Sequence, residues 1–214
     1  MQTWKGFMRE MQSVERSVVR SIQGSVDVKT ALLQDPAFHN LLVTVGLKMA
    51  QAIRDGHKVF FLGNGGSAAD AQHLAAELTG RYLRDRPALP GIALTVNTSS
   101  MTAIANDFSF DAVFARQLEA LSSIGDVAIG ISSSGESANV LSAMKVGHER
   151  GLVTIGMTGR TGGKLKHVVD YCICIPSDET PRVQESHILA GHILCEIIEA
   201  ELFDEDEPLG PQTA

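Results

Sequence analysis

Two segments more than a hundred residues apart carry side chains able to do chemistry. The first is Gly63-Asn64-Gly65-Gly66-Ser67, followed by Asp70, His73 and Glu77; the second is Gln184-Glu185-Ser186-His187, followed by His192. His73 and Glu77 are four apart, so a helix sets them on one face. That spacing suits two ligands of one metal ion or an acid–base pair, and equally an ordinary hydrogen-bonded surface pair. Gln184 and His192 are eight apart, roughly 12 Å of helical rise. Side chains so separated barely reach one small ion from a straight helix. That leaves a distorted first turn, two different sites, or a site completed on a neighbouring subunit. His187 lies three residues from Gln184 and competes for its face, although a lone histidine on such a helix is more often packed or capping than a ligand.

A third segment, Ser132-Ser133-Ser134-Gly135-Glu136-Ser137, lies between an apolar run and a helical stretch. Hydroxyls and backbone N–H groups at a helix N-terminus suit a phosphate dianion, and the helix dipole adds to the attraction. One serine there would be a helix cap; four serines in six positions favour an anion site. Gly63-Asn64-Gly65-Gly66-Ser67-Ala68 fits the form of a dinucleotide fingerprint. That fingerprint wants an acidic residue about 20 positions on, at the end of the next strand. The next apolar run ends instead in Asn97-Thr98-Ser99-Ser100. Gly162-Gly163-Lys164 is followed by leucine, so no Walker motif is present. A nucleotide cofactor is disfavoured, and close backbone approach to a small sugar phosphate fits better. Asn106-Asp107 reads most simply as an Asx turn in a loop, with binding of sugar hydroxyls as the alternative.

These segments need elements to position them. Val59–Leu62, Ile92–Val96, Asp126–Ile131, Leu152–Met157 and Tyr171–Ile175 are short, continuously apolar runs. They alternate with helical stretches: 68 to about 80, 138 to about 150, and 180 or 181 to 203. This predicts a three-layer αβα sandwich built on a five-stranded parallel sheet covered on both faces. Ligands in such sheets bind beyond the carboxyl ends of the strands, where the glycine and serine loops fall. Trp4, Phe7, Met8, Met11, Val14 and Val18 recur at helical spacing, so an amphipathic helix is expected first and suits packing on another subunit. A second helix is expected over 35–54, with Pro36 in its first turn and Gly56 after its end.

The chain has 214 residues, 44% of them hydrophobic, and a formal charge of −7. That fits one packed domain over 1–203, followed by an acidic, disordered tail over 204–214. Non-specific nucleic-acid binding is disfavoured by the sign of the charge. Cys172, Cys174 and Cys195 are an odd set without regular spacing, which argues against a disulfide framework and for a reducing cytoplasm. Cys172 and Cys174 flank Ile173 on a strand and read as small core residues; a zinc role for the pair is weaker, since no second pair exists. No run is long enough to span a bilayer, and charges throughout residues 1–20 give no signal-peptide core.

The segments GNGGSAADAQHLAAELTGRY (63–82), ANDFSF (105–110), ISSSGESANV (131–140) and TPRVQESHILAGHIL (180–194) together resemble the sugar isomerase (SIS) domain family, and within it the phosphoheptose isomerases. The resemblance runs from the N-terminal helix to about Phe203. It implies a homotetramer with active sites at subunit interfaces. It implies isomerisation of sedoheptulose 7-phosphate to D-glycero-D-manno-heptose 7-phosphate through an enediol, for nucleotide-activated heptose and lipopolysaccharide precursors. It also implies one zinc ion per subunit on His73, Glu77, Gln184 and His192, with Glu77 and His192 catalytic. Phosphate binding falls on Ser132, Ser134 and Ser137, and further substrate contacts on Asn64, Gly65, Gly66, Ser67, Asp107 and Gln184. Two other readings within the family are a non-catalytic protein that binds the bacterial replication initiator and an isomerase or sensor for another sugar phosphate. Retention of Glu77 and His192 favours the enzyme.

Overall fold

The computed structural model describes residues 4–203, with side chains described from residue 11; the acidic tail lies outside the described residues. Helix α1 runs Trp4–Leu33 and α2 runs Pro36–Arg54. Asp35 caps α2: its side chain accepts from the Ala37 and Phe38 N–H groups, and Pro36 takes the first turn where its missing N–H costs nothing. The remaining elements are β1 (Val59–Gly63), α3 (Gly66–Thr79), β2 (Gly91–Ala93), α4 (Thr98–Asp107), α5 (Ala115–Leu121), β3 (Val127–Ile131), α6 (Ala138–Glu149), β4 (Val153–Thr158), β5 (Tyr171–Cys174) and α7 (Thr180–Phe203).

The five strands form one parallel sheet in the order β2-β1-β3-β4-β5. Every residue of β1 and β3 is buried. Phe61, Ile129, Ile131, Ile155, Met157 and Ile173 meet α2, α3 and α7 on one face, while Phe60, Leu62 and Ala128 meet α5 and α6 on the other. Burial on both faces is why the strands read as continuous apolar runs rather than alternating ones. At the amino ends of the strands, buried Asp126 accepts from the Lys58 and Ser123 N–H groups, both at 2.8 Å, and pairs with the Lys58 ammonium at 3.0 Å. Burial alone would raise this carboxyl, but those hydrogen bonds and the Lys58 charge hold it below its ordinary value.

The sheet, its parallel sense and the helices at both ends of the chain match the expectation. Three details differ. Strand β2 is only three residues long; Leu94 N–H still bonds Phe61 O at 2.9 Å, and the chain then leaves the sheet for α4. Helices α4 and α5 fill a stretch that carried no helical expectation. Asn106-Asp107 forms the last turn of α4 rather than an Asx turn in a loop, and Asn106 Nδ2 donates to Asp107 Oδ1 at 2.8 Å.

Candidate active site

From β1 the chain moves outward to β2 and then returns to lay β3 on the other side of β1. The crevice between β1 and β3 is therefore the topological switch point, where open parallel sheets receive ligands. Gly63 and Ile131 end these strands side by side, so the GNGGS and SSSGES loops leave the sheet as neighbours. Asn64 and Asn139 tie them together: each amide donates to the other's oxygen at 2.9 Å.

At Gly65 the backbone turns through φ 56° and enters α3 at Gly66. A β-carbon on Gly66 would collide with the Gln184 amide, its carbonyl carbon lying 2.9 Å away, so α7 seats Gln184 directly on the start of α3. Ser67 is buried beneath the turn. In the serine loop, Ser132 and Ser137 hydroxyls lie 2.9 Å apart, while Ser134 is exposed and accepts from Glu136 N–H at 3.2 Å. Ser137 precedes α6 yet makes no side-chain cap bond; its hydroxyl is turned into the loop. Gly135 adopts φ +68° and would strike Gly162 and Gly163 if it carried a β-carbon, the Gly163 Cα lying at 2.9 Å. Bonds from Gly159 N–H to Ser133 O (2.9 Å) and from Leu165 N–H to Gly135 O (3.0 Å) complete this brace.

Further along the paired helices α3 and α7, a second group gathers. His73 Nε2 lies 3.1 Å from Glu77 Oε1 and 2.9 Å from His192 Nε2. Donor atoms of all three lie within 4.8 Å of one another, close enough for one ion. The nitrogen–nitrogen approach needs either a proton between the two rings or an ion in its place. Burial depresses the His192 imidazole, the neighbouring His73 depresses it further, and Glu77 opposes both. Asp70, one turn before His73, is half-buried with one carboxylate oxygen unpartnered within the chain; burial raises it and His73 pulls it down.

One chain therefore brings His73, Glu77 and His192 together, and gathers Asn64, Gly65, Gly66, Ser67, Gln184 and the serines at the switch point. Gln184 sits on Gly66, on the loop side of the histidines rather than among them. Asp107 is exposed at the end of α4 and bonds Asn106. His187 is fully buried and gives its Nε2 proton to Thr158 O at 3.1 Å, so it packs and does not compete with Gln184.

Several residues of the site have no sequence signal of their own. Asn139 is one. Tyr82 is another: its ring stacks on His192, with centroids 5.3 Å apart. Buried Glu199 holds that tyrosine's loop by accepting from the Tyr82, Leu83 and Arg84 N–H groups and pairing with Arg86 Nε at 2.8 Å. Glu199 reads in sequence as one more charge on an acidic helix.

Residues 39–159 match the SIS domain family. The chain is 48% identical to phosphoheptose isomerase of Aneurinibacillus thermoaerophilus, over 85% of its own length and 92% of that protein's. It belongs to the phosphoheptose isomerases of the SIS domain family. The corresponding protein of Aliarcobacter butzleri is 57% identical over 71% of this chain and 80% of its own. Among solved structures, phosphoheptose isomerase of Neisseria gonorrhoeae superposes with a TM-score of 0.77 at 40% identity, covering 89% of this chain and 98% of that one. The Francisella tularensis protein superposes at 0.78 and 32% identity, covering 88% and 97%.

Proposed function

We propose that this chain interconverts sedoheptulose 7-phosphate and D-glycero-D-manno-heptose 7-phosphate. The observation that carries this reading is the convergence of His73, Glu77 and His192 seven residues along α3 from Gly66. That separation is about 10 Å of helix, which keeps the proposed proton-moving groups away from the loops at the switch point.

In this proposal the hydroxyls of Ser132, Ser134 and Ser137, with the N-terminus of α6, hold the phosphate, and its binding energy positions the reacting end. Asn64, Gly65, Gly66, Ser67 and Asp107 contact the sugar. Glu77 takes the C1 proton of the open-chain ketose to give an enediol, and a proton returned to C2 gives the aldose. His192 moves the proton between the two oxygens; with its basicity depressed by burial, its neutral form accepts and donates near neutral pH. The two imidazoles and the carboxylate are donors that zinc accepts. His73, Glu77 and His192 are the proposed ligands; Gln184, seated on Gly66 in this chain, is proposed to complete the set through the neighbouring subunit of the assembly. When bound, zinc supplies Lewis-acid polarisation of the substrate oxygens.

The assembly is proposed to be a homotetramer. Its support is apolar surface unpartnered within the chain: Val14, Val18, Ile22 and Leu33 of α1 and Val43 and Leu47 of α2 are exposed, beside a groove of about 400 Å³ between α1, α2 and α7.

The reaction is tested by proton NMR on a panel of ketose phosphates. Conversion of the seven-carbon ketose well ahead of fructose 6-phosphate supports the assignment. Preference for the hexose, or no conversion of any ketose, refutes it.

A further inference from the structure

Strand β5 is the edge of the sheet, and its Cys172 and Cys174 point to the same face, away from Ile173 in the core. Their sulfurs lie 3.6 Å apart. Thr158, at the end of β4, brings its hydroxyl to 3.4 Å from the Cys174 sulfur and 3.7 Å from that of Cys172. Both thiols are half-exposed, whereas Cys195 is buried inside the core. A disulfide needs the sulfurs at about 2.05 Å, far closer than the strand holds them. A single centre with bonds to sulfur of about 2.3 Å and tetrahedral angles sets two sulfurs roughly 3.8 Å apart, close to the spacing observed.

We infer that Cys172 and Cys174 form a dithiol site for a soft, sulfur-seeking centre that takes two sulfurs at once, with the Thr158 hydroxyl beside it. The preference is for soft centres because the donors gathered here are two thiols and one hydroxyl. The hydrogen bond shared with Cys172 pushes the Cys174 thiol down to about 6 against the opposing effect of burial, so one sulfur of the pair is ready to bond at neutral pH. Cys195 is the internal control: burial pushes its thiol up to about 12. None of the site's three residues belongs to the histidine cluster, while Thr158 directly precedes Gly159, whose N–H braces the serine loop at Ser133 O.

The probe is phenylarsine oxide, a trivalent arsenical that does not compete for imidazole or carboxylate. Its reaction balances without an oxidant: two arsenic–sulfur bonds replace the arsenic–oxygen bond, and the two thiol protons leave with the oxygen as water. Reduced full-length protein is titrated and followed by intact mass, then by peptide mapping. One arsenical per chain is expected, on the peptide carrying Cys172 and Cys174. Cys172→Ser and Cys174→Ser each lower uptake at least tenfold, and Cys195→Ser leaves it unchanged. No uptake by the native protein, an adduct mapped to Cys195, or undiminished uptake in both Cys172→Ser and Cys174→Ser overturns the inference. Peptide mapping on the native protein locates the adduct even if a variant fails to fold.

Discussion

His73, Glu77 and His192 meet because two separate regularities agree. The four-residue spacing on α3 puts His73 and Glu77 on one face, and the alignment of α3 with α7 brings His192 to them within 2.9 Å. The first was legible in the sequence. The second was not, since nothing in residues 180–194 says which turn of α7 lies beside which turn of α3. Gln184 shows the same limit: its distance from His192 was readable, but its seat on Gly66 depends on packing. If the cluster holds zinc, His73→Gln should lower metal content measured by atomic emission from about one ion per chain to a small fraction, while circular dichroism stays unchanged. Unaltered metal content in that variant would move the metal elsewhere.

At the scale of elements, the strands and the helices that follow them were legible because a sheet buried on both faces writes itself as apolar runs. Helix α4 was not, because it is short, buries none of its residues fully and offers the core only Met101, Ile104 and Ala105 at helical spacing; its cap, Asn97 accepting from Ser100 N–H at 3.0 Å, is its clearest local signal. The serine loop's composition suggested an anion site, whereas the brace from residues 159–165 behind it left no signal in the sequence. That brace makes a specific prediction for Gly135. Alanine there must hold φ near +68° and press on Gly162 and Gly163, a strain of about 1–3 kcal/mol. Gly135→Ala should raise KM for the sugar phosphate at least tenfold with a smaller change in kcat, and lower Tm by several degrees. An unchanged KM would show that this loop does not hold the phosphate.

Over the whole molecule, pH dependence and assembly follow from burial. His187 is buried neutral, and burial holds its imidazole down to about 4 against the opposing bond to Thr158 O. Its ordinary value is about 6.5, so the unfolded chain binds this proton more readily. The stability involved is present in full above about pH 6.5 and is lost as pH falls towards 4. Urea unfolding of the native protein should show that decline, and His187→Gln should flatten it between those two pH values; an equal slope in both would contradict the assignment. The proposed assembly covers the exposed apolar faces of α1 and α2, and light scattering of the native protein should then report a tetramer. Leu33, 75% exposed in the single chain, is a fitting probe: Leu33→Glu should shift the population to smaller species, and a native protein that runs as a monomer would refute the proposed assembly.

In the proposed reaction Glu77 moves a proton between C1 and C2 of a seven-carbon ketose phosphate. The most direct measurement is conversion of sedoheptulose 7-phosphate in deuterium oxide, followed by proton NMR, with native protein and with Glu77→Gln. A heptose 7-phosphate carrying solvent deuterium at C2 is expected from the native protein, and a rate lower by about 10²–10⁴ in the variant with its fold intact. Absence of the aldose with native protein, or a variant that turns over at the native rate, would contradict the proposed reaction.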